Sequence, residues 1–134
     1  MNGKKILVAD DDPDILDVVG MVLETQGYEV ILARDGVECL GKLRAEKPDL
    51  MILDLLMPKM DGFAVYKELQ LPSWSDYRNV PIIILSSVRE EASRRRYELE
   101  TGRKLSPDEY LEKPIMPDVL LSSIEKLFKR KQPV

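Results

Sequence analysis

One stretch near the middle of the chain, MILDLLMP at residues 51–58, constrains the fold most strongly. Every residue in it except Asp54 is apolar or proline, which is typical of a strand buried on both faces. A carboxylate in such a strand is costly unless it is paired or stands at the strand's end. Pro58 cannot extend a central strand, and Asp61-Gly62 indicates a turn. We therefore expect Asp54 at the carboxyl end of a parallel strand, where open α/β sheets bind ligands; an aspartate that only caps a turn is the alternative.

Apolar runs and helical patterns alternate along the rest of the chain. Short apolar runs predict strands at residues 5–9, 28–33, 50–53, 81–85 and 109–111. Turn or cap residues followed by apolar residues at helical spacing predict helices that begin near residues 13, 35 and 61 and at Pro117 or Asp118. A charged helix with weaker periodicity is predicted from Val88 to about Glu100. Residues 71–80 are interpreted as a polar connection and residues 101–106 as a loop. Strands that alternate with helices predict an α/β fold with a doubly wound parallel sheet and helices on both faces.

Composition narrows the class of protein. The 134 residues suit one domain, and a net charge of −4 gives no basic footprint for nucleic acid. No run of 18 apolar residues predicts a membrane span, and the start of the chain does not resemble a signal peptide. The single cysteine, Cys39, fits a packing role and a reducing compartment, so we expect a cytoplasmic protein. Because the chain contains no histidine, any imidazole chemistry must come from a partner.

Chemically active residues collect at the predicted strand ends. Strand one leads into Asp10 and Asp11, strand three into Asp54, strand four into Ser86 and strand five into Lys113. In a parallel sheet these ends share one edge, so three carboxylates would repel one another there unless a cation joined them. A site with a small number of oxygen ligands favours Mg²⁺. A lysine and a hydroxyl nearby could bind the anionic oxygens of a phosphoryl group. Each signal is weak alone, and their joint placement is what makes the pattern specific.

Four segments together resemble a known family. They are ILVADDDP at 6–13, LDLLMPKMDG at 53–62, PIIILS at 81–86 and YLEKP at 110–114. With them the chain resembles a response-regulator receiver domain over nearly its full length. The resemblance implies a flavodoxin-like, five-stranded parallel sheet of order 2-1-3-4-5. It also leads us to expect one receiver domain over residues 1–134 with no output domain in this chain, although the chain could be a piece of a longer protein.

The same resemblance implies a metal site and a phosphoacceptor. Asp54 would accept the phosphoryl group, and Mg²⁺ would be the cofactor. Asp11, Asp54 and the backbone carbonyl of Leu56 would hold the ion, with Asp10 acting mainly through water.

The resemblance implies a switch as well. Ser86 would bind a phosphoryl oxygen, Lys113 would pair with the phosphoryl group, and Tyr110 would fill the aromatic switch position. The Lys113–Pro114 bond is expected to be cis. The output surface would lie near the fourth helix and the fifth strand.

The implied function is phosphorelay signalling by a protein that is not an enzyme in its own right. A sensor histidine kinase or a phosphotransfer protein would donate the phosphoryl group, and a downstream output protein would respond to the phosphorylated chain. We expect a monomer or a phosphorylation-dependent dimer with no direct nucleic-acid or membrane contact. The alternative is a pseudo-receiver that binds partners without phosphorylation. An aspartate-based phosphatase is disfavoured because Leu56 stands where such enzymes carry a second aspartate.

Two features depart from the family pattern or carry a prediction of their own. The connection between Ser86 and Lys113 is longer than is usual, and residues 101–107 replace the usual short turn. Leu56 and Val88, by the family resemblance, flank the path of a hydrolytic water, and both are apolar. Since neither side chain can orient a water, we expect slow loss of the phosphoryl group. Either side chain could instead merely pack against a helix.

Overall fold

A computed structural model describes residues 3–87 and 91–131. Over these residues five strands alternate with five α-helices, as the sequence predicts. The strands are β1 (Lys5–Ala9), β2 (Glu29–Ala33), β3 (Leu50–Asp54), β4 (Ile82–Ser86) and β5 (Glu109–Glu112). The helices are α1 (Pro13–Thr25), α2 (Gly36–Glu46), α3 (Gly62–Leu69), α4 (Glu91–Thr101) and α5 (Pro117–Lys131). The fourth helix was predicted to begin at Val88, which lies outside the described residues.

The five strands form one parallel sheet. Their order is β2-β1-β3-β4-β5, so the predicted flavodoxin-like topology is confirmed. Every residue of the central strand, β3, is buried. Its register pairs Met51 with Ile82 of β4 and Leu53 with Ala9 of β1. This pairing places the carboxyl ends of β1, β3 and β4 side by side at one edge of the sheet.

Helices cover both faces of the sheet, and the side chains of β3 alternate between them. Met51 and Leu53 belong to a core cluster formed with α2, α3 and α4. Leu50 and Ile52 belong to a second cluster, formed with α1 and α5. A strand with both faces apolar needs such a cover on each side, which explains why its sequence reads as a continuous apolar run. Cys39 of α2 is part of the first cluster, and burial raises the pKa of its thiol to about 12, consistent with a packing role.

Aspartates cap the N-termini of α1, α2 and α3. The side chain of Asp12 accepts a hydrogen bond of 2.9 Å from the amide of Asp14, ahead of Pro13 in the first position of α1. Asp35 caps α2 in the same way, and Asp61 caps α3 by accepting from the amide of Ala64 at 2.9 Å. Each cap satisfies an amide that the helix leaves unpaired and contributes about 1 kcal/mol. The caps fix where the helices start above the carboxyl edge of the sheet.

One segment differs from its predicted form. Residues 71–80 are not simply a polar connection, because Pro72–Tyr77 forms a 3₁₀ helix that buries Trp74. The Trp74 indole donates a hydrogen bond of 2.9 Å to Glu68, and the guanidinium of Arg44 lies 4.0 Å from the centre of the ring. Burial of a large aromatic surface with its N–H satisfied stabilises this turn. In the part of the chain that the structure describes, no helix is both long and apolar enough to cross a membrane.

Candidate functional site

The carboxyl edge of the sheet brings four strand ends together. Asp10 follows β1 directly, Asp54 is the last residue of β3, Ser86 is the last residue of β4, and Lys113 follows β5. Asp10 and Asp54 are both buried, with exposed fractions of 0% and 2%. A buried carboxylate is costly unless it is paired, and two of them side by side point to a functional arrangement.

Three carboxylates face one another at this edge. Oxygen atoms of Asp10, Asp11 and Asp54 lie within 4.8 Å of one another, and Asp11 is the exposed member of the three. Lys113 is the cation of the cluster. Its Nζ donates a hydrogen bond of 3.0 Å to Oδ1 of Asp54 and lies 3.3 Å from Oδ2 of Asp10. One lysine therefore offsets part of the repulsion of three acids, and a net negative charge remains in the site.

The electrostatics of the site follow from burial and from these partners. Burial raises the pKa of the Asp10 carboxyl, although the Asp12 amide and Lys113 act in the opposite direction. Burial also lowers the pKa of Lys113, but the hydrogen bond and the charge of Asp54, with Asp10, outweigh it, so this pKa lies above its usual value. At neutral pH the lysine is thus firmly charged, whereas Asp10 bears a desolvation cost.

Among the described residues, Oδ2 of Asp10 is a buried oxygen without a hydrogen-bond donor, since its contact with Lys113 has the distance of an ion pair but not the geometry of a hydrogen bond. Such an oxygen can coordinate a cation or accept a hydrogen bond from a water molecule. Three carboxylates with only oxygen donors also match the ligand preference of a hard divalent ion. The residues present therefore fit Mg²⁺.

The other predicted residues have different relations to this centre. The carbonyl oxygen of Ser86 accepts a hydrogen bond of 2.8 Å from the amide of Lys113, which ties the end of β4 to the lysine. The Lys113–Pro114 bond is cis, as expected. Leu56, two residues after Asp54, is 43% exposed and borders a cavity of about 260 Å³ between α3 and α4. Val88, its predicted companion, lies outside the described residues.

Tyr110 lies on β5, paired in register with Ile84 of β4, and is half-buried. Its hydroxyl donates a hydrogen bond of 2.6 Å to the carbonyl oxygen of Leu105, and the Arg94 guanidinium lies 4.7 Å from the centre of its ring. The predicted switch residue is therefore attached to the lengthened segment that precedes β5.

The structure adds a residue whose importance to the site the sequence did not reveal. The amide of Gly62 donates a hydrogen bond of 2.9 Å to the carbonyl oxygen of Leu55. A Cβ on Gly62 would lie 2.2 Å from the backbone oxygen of Asp54, so only glycine lets α3 begin this close to the end of β3. In the sequence Asp61-Gly62 gives a turn signal and ends one of the four matching segments, but neither reveals the close approach, which depends on tertiary packing.

Comparisons with known proteins agree with this geometry. The family model described as "Response regulator receiver domain" matches residues 6–125. The probable transcriptional regulator ycf27 of Cyanophora paradoxa is 39% identical over 130 residues, which cover 97% of this chain and 50% of that protein. The alkaline phosphatase synthesis transcriptional regulatory protein PhoP of Bacillus subtilis (strain 168) is 36% identical, with coverage of 96% and 50%. The chain thus spans about half the length of these curated relatives.

A solved structure supports the same assignment. The signal receiver domain of a signal transduction histidine kinase from Syntrophus aciditrophicus superposes with a TM-score of 0.82 at 30% identity, and the match covers 98% of this chain and 95% of that one. The likeness therefore extends over the whole sheet and its helices. The chain belongs to the response-regulator receiver family, whose members are regulatory domains of phosphorelay signalling.

Proposed function

We propose that Asp54 accepts a phosphoryl group from a histidine kinase or a phosphotransfer protein, in a reaction that depends on Mg²⁺. One observation carries the proposal: a nearly buried carboxylate at the end of the central strand lies 3.0 Å from a lysine and within 4.8 Å of two other carboxylates. A nucleophile, a fixed cation and oxygen ligands for a metal thus stand in one place. Phosphoryl transfer needs little more than positioning and neutralisation of charge.

Asp10, Asp11 and Asp54 would hold the ion, and the Leu56 carbonyl would be a fourth ligand from the loop after β3. Mg²⁺, when bound, supplies positive charge next to the oxygens of the transferring phosphoryl group. The buried Oδ2 of Asp10 supports this assignment, since it has no hydrogen-bond donor among the described residues. Asp10 would act mainly through water, as the family resemblance implies.

The residues of this chain then have distinct tasks. A carboxylate oxygen of Asp54 attacks the phosphorus, forming an acyl phosphate as the bond from phosphorus to the donor's imidazole nitrogen breaks. Lys113 neutralises charge on the phosphoryl oxygens, and its raised pKa keeps it protonated through the transfer. Ser86 can donate its hydroxyl hydrogen to a phosphoryl oxygen afterwards. The donor's imidazole must come from outside the printed chain, which contains no histidine.

The phosphorylated state would alter the surface near α4 and β5. A new bond from Ser86 to the phosphoryl group would pull the end of β4, and Lys113 would follow because its amide is bonded to the Ser86 carbonyl at 2.8 Å. Tyr110, on the neighbouring strand, would change its packing, and the populations of two arrangements would shift. A downstream protein, or a second copy of the chain, would bind the arrangement that phosphorylation favours.

The test is an intact-mass measurement after incubation with Mg²⁺ and acetyl phosphate. We expect an adduct of one phosphoryl group on the wild type and on Asp76→Asn, a matched change of an aspartate in the 3₁₀ helix. Asp54→Asn and a wild-type sample without divalent ions should show no adduct. A wild type that stays unmodified, although folded and supplied with Mg²⁺, would favour the pseudo-receiver alternative.

A further inference from the structure

The loop from Asp54 to α3, residues 55–61, has an unusual backbone in its middle. Lys59 adopts a left-handed conformation with φ 65°, and the Met60 amide donates a hydrogen bond of 2.7 Å to the carbonyl oxygen of Pro58. The hydrogen bond from Gly62 to Leu55 fastens only the two ends of this loop. A tight turn with a left-handed lysine needs support from its surroundings.

That support comes from the start of α2. The amide of Gly36, the first residue of α2, donates a hydrogen bond of 2.8 Å to the carbonyl oxygen of Met60. The Nζ of Lys59 also lies 3.7 Å from Oδ2 of Asp35, the cap of α2. Since this lysine is largely exposed, the ion pair contributes little, and the backbone bond from Gly36 is the main link. A helix that contributes none of the site's side chains therefore holds the loop of the phosphoacceptor.

Gly36 must be glycine because of space and not because of its dihedral angles. A Cβ at this position would lie 2.2 Å from the carbonyl oxygen of Met60 and 2.8 Å from its carbonyl carbon and its Cβ. Real contacts of a Cβ begin above 3.0 Å, so Met60 and the loop would have to retreat by about 1 Å. The next glycine of the same helix, Gly41, is exposed, and a Cβ there would meet no atom within 4 Å.

We propose that Gly36 is a positioning residue for the phosphoacceptor site. Its amide binds the loop that carries the Leu56 carbonyl, and its lack of a Cβ lets that loop pack against the start of α2. The inference rests on the proposed Mg²⁺-dependent phosphorylation of Asp54. Mg²⁺ demands near-ideal octahedral geometry with ligands at about 2.0–2.1 Å. A loop moved by about 1 Å would take the Leu56 carbonyl out of reach of such geometry, and a misplacement of this size can lower the rate of reaction by up to about a hundredfold.

The experiment compares Gly36→Ala with Gly41→Ala, the same substitution in the same helix. Thermal unfolding of the wild type and both variants over a Mg²⁺ titration gives the apparent dissociation constant of the ion. Phosphorylation by acetyl phosphate is followed over the same titration. We expect Gly36→Ala to raise the dissociation constant about tenfold or more, with a loss of rate that is greatest at low Mg²⁺. Gly41→Ala should keep the wild-type constant with an equal or higher baseline Tm.

The outcomes separate the two proposals. If Gly36→Ala lowers the baseline Tm but binds Mg²⁺ as the wild type does, Gly36 serves the fold alone and the positioning role is wrong. If the wild type itself gains no Tm from Mg²⁺ and takes up no phosphoryl group, the proposed function fails first. Should Gly36→Ala be too unstable to measure, the double variant Gly36→Ala/Gly41→Ala is compared with Gly41→Ala, whose alanine stabilises the helix.

Discussion

The hydroxyl of Tyr110 is joined by a hydrogen bond of 2.6 Å to the backbone oxygen of Leu105, five residues earlier in the chain. Leu105 is itself 2% exposed and belongs to the core cluster on the α2–α3–α4 face. The next residue, Ser106, is held from the other side, because its amide donates to the hydroxyl of Tyr66 and its carbonyl oxygen accepts from it. The longer connection before β5 is therefore an ordered segment anchored between α3 and β5.

Tyr66→Phe should loosen this segment without touching the phosphoacceptor site. The change removes the bonds of 3.1 Å and 3.3 Å to Ser106 and keeps the ring. We expect a loss of about 1 kcal/mol in the free energy of unfolding and faster amide exchange over residues 103–106. Tyr77→Phe, at the end of the 3₁₀ helix, is the control. Unchanged exchange in Tyr66→Phe would show that the burial of Leu105 and its bond from Tyr110 hold the segment without Tyr66.

The sequence could not predict this anchoring, although it predicted the strands on either side. An apolar run such as that of β3 indicates a buried strand because the signal lies in consecutive residues of the sequence. The gathering of Asp10, Asp54 and Lys113 was predictable for a related reason, since all parallel strands end at one edge. The contacts of Leu105 join residues far apart in sequence and show no periodicity.

The bond between Gly36 and Met60 was hidden for the same reason, because it joins two turns that meet only in the folded sheet. The 3₁₀ helix around Trp74 left more of a signal. Pro72 stands at its first position, and a tryptophan in an otherwise polar stretch favours a buried anchor over a free connection. Both residues were interpreted as part of a polar connection because most of the residues around them are polar.

Asp10→Asn should stabilise the protein at neutral pH when Mg²⁺ is absent. Because burial raises the pKa of Asp10, the folded state binds this proton more tightly than the unfolded chain does. At a pH above the folded-state pKa, the charged carboxyl therefore lowers the stability of the folded protein. This cost decreases as the pH falls through the folded-state pKa and is gone below the usual pKa of 3.8, where the carboxyl is protonated in both states. We expect a gain of about 1 kcal/mol at pH 7 that shrinks toward pH 4, measured by urea unfolding.

The same variant should respond weakly to Mg²⁺, since it lacks one of the three carboxylates. Wild type at a Mg²⁺ concentration 100 times its dissociation constant should gain about 2.7 kcal/mol, enough to reverse the order of stability. Asp49→Asn, a substitution distant from the carboxyl edge, should leave this gain intact. A variant that is less stable than wild type at every pH without Mg²⁺ would mean that the ion pair of Asp10 with Lys113 outweighs the burial cost.

Lys113→Ala should uncouple phosphorylation from the surface near α4 and β5. The substitution removes the cation that lies 3.0 Å from Asp54 and 3.3 Å from Asp10, so Mg²⁺ can still bind among the carboxylates. We expect a folded protein that takes up a phosphoryl group but shows little change in amide exchange over residues 91–112 afterwards. Lys113→Arg should restore only part of that change, because the guanidinium is larger and planar.

Lys126→Ala is the matched control for this lysine. It removes an exposed ion pair of 3.2 Å with Glu109 of β5 and should respond to phosphorylation as the wild type does. If Lys113→Ala shows the full wild-type change in exchange, Lys113 has no part in the switch.

Leu56→Asn should shorten the life of the phosphoryl group. Hydrolysis needs a water in line behind the phosphorus, opposite the Asp54 oxygen, and the family resemblance puts the residue two after Asp54 beside that path. Leu56 is apolar and 43% exposed next to the cavity between α3 and α4, so it can exclude a water but cannot orient one. An asparagine could hydrogen-bond the water, and one such bond corresponds to an acceleration of up to about tenfold.

Leu71 offers a matched control, because it is also an exposed leucine, at 46%, and follows α3 outside the site. The wild type, Leu56→Asn and Leu71→Asn are phosphorylated with acetyl phosphate, freed of excess donor, and followed by intact mass with Mg²⁺ present. Leu71→Asn should match the slow wild-type decay, while Leu56→Asn should decay faster with unchanged Mg²⁺ affinity. If the wild type loses its phosphoryl group as rapidly as Leu56→Asn, the side chain of Leu56 does not control access of water, and reset of the signal needs no second protein.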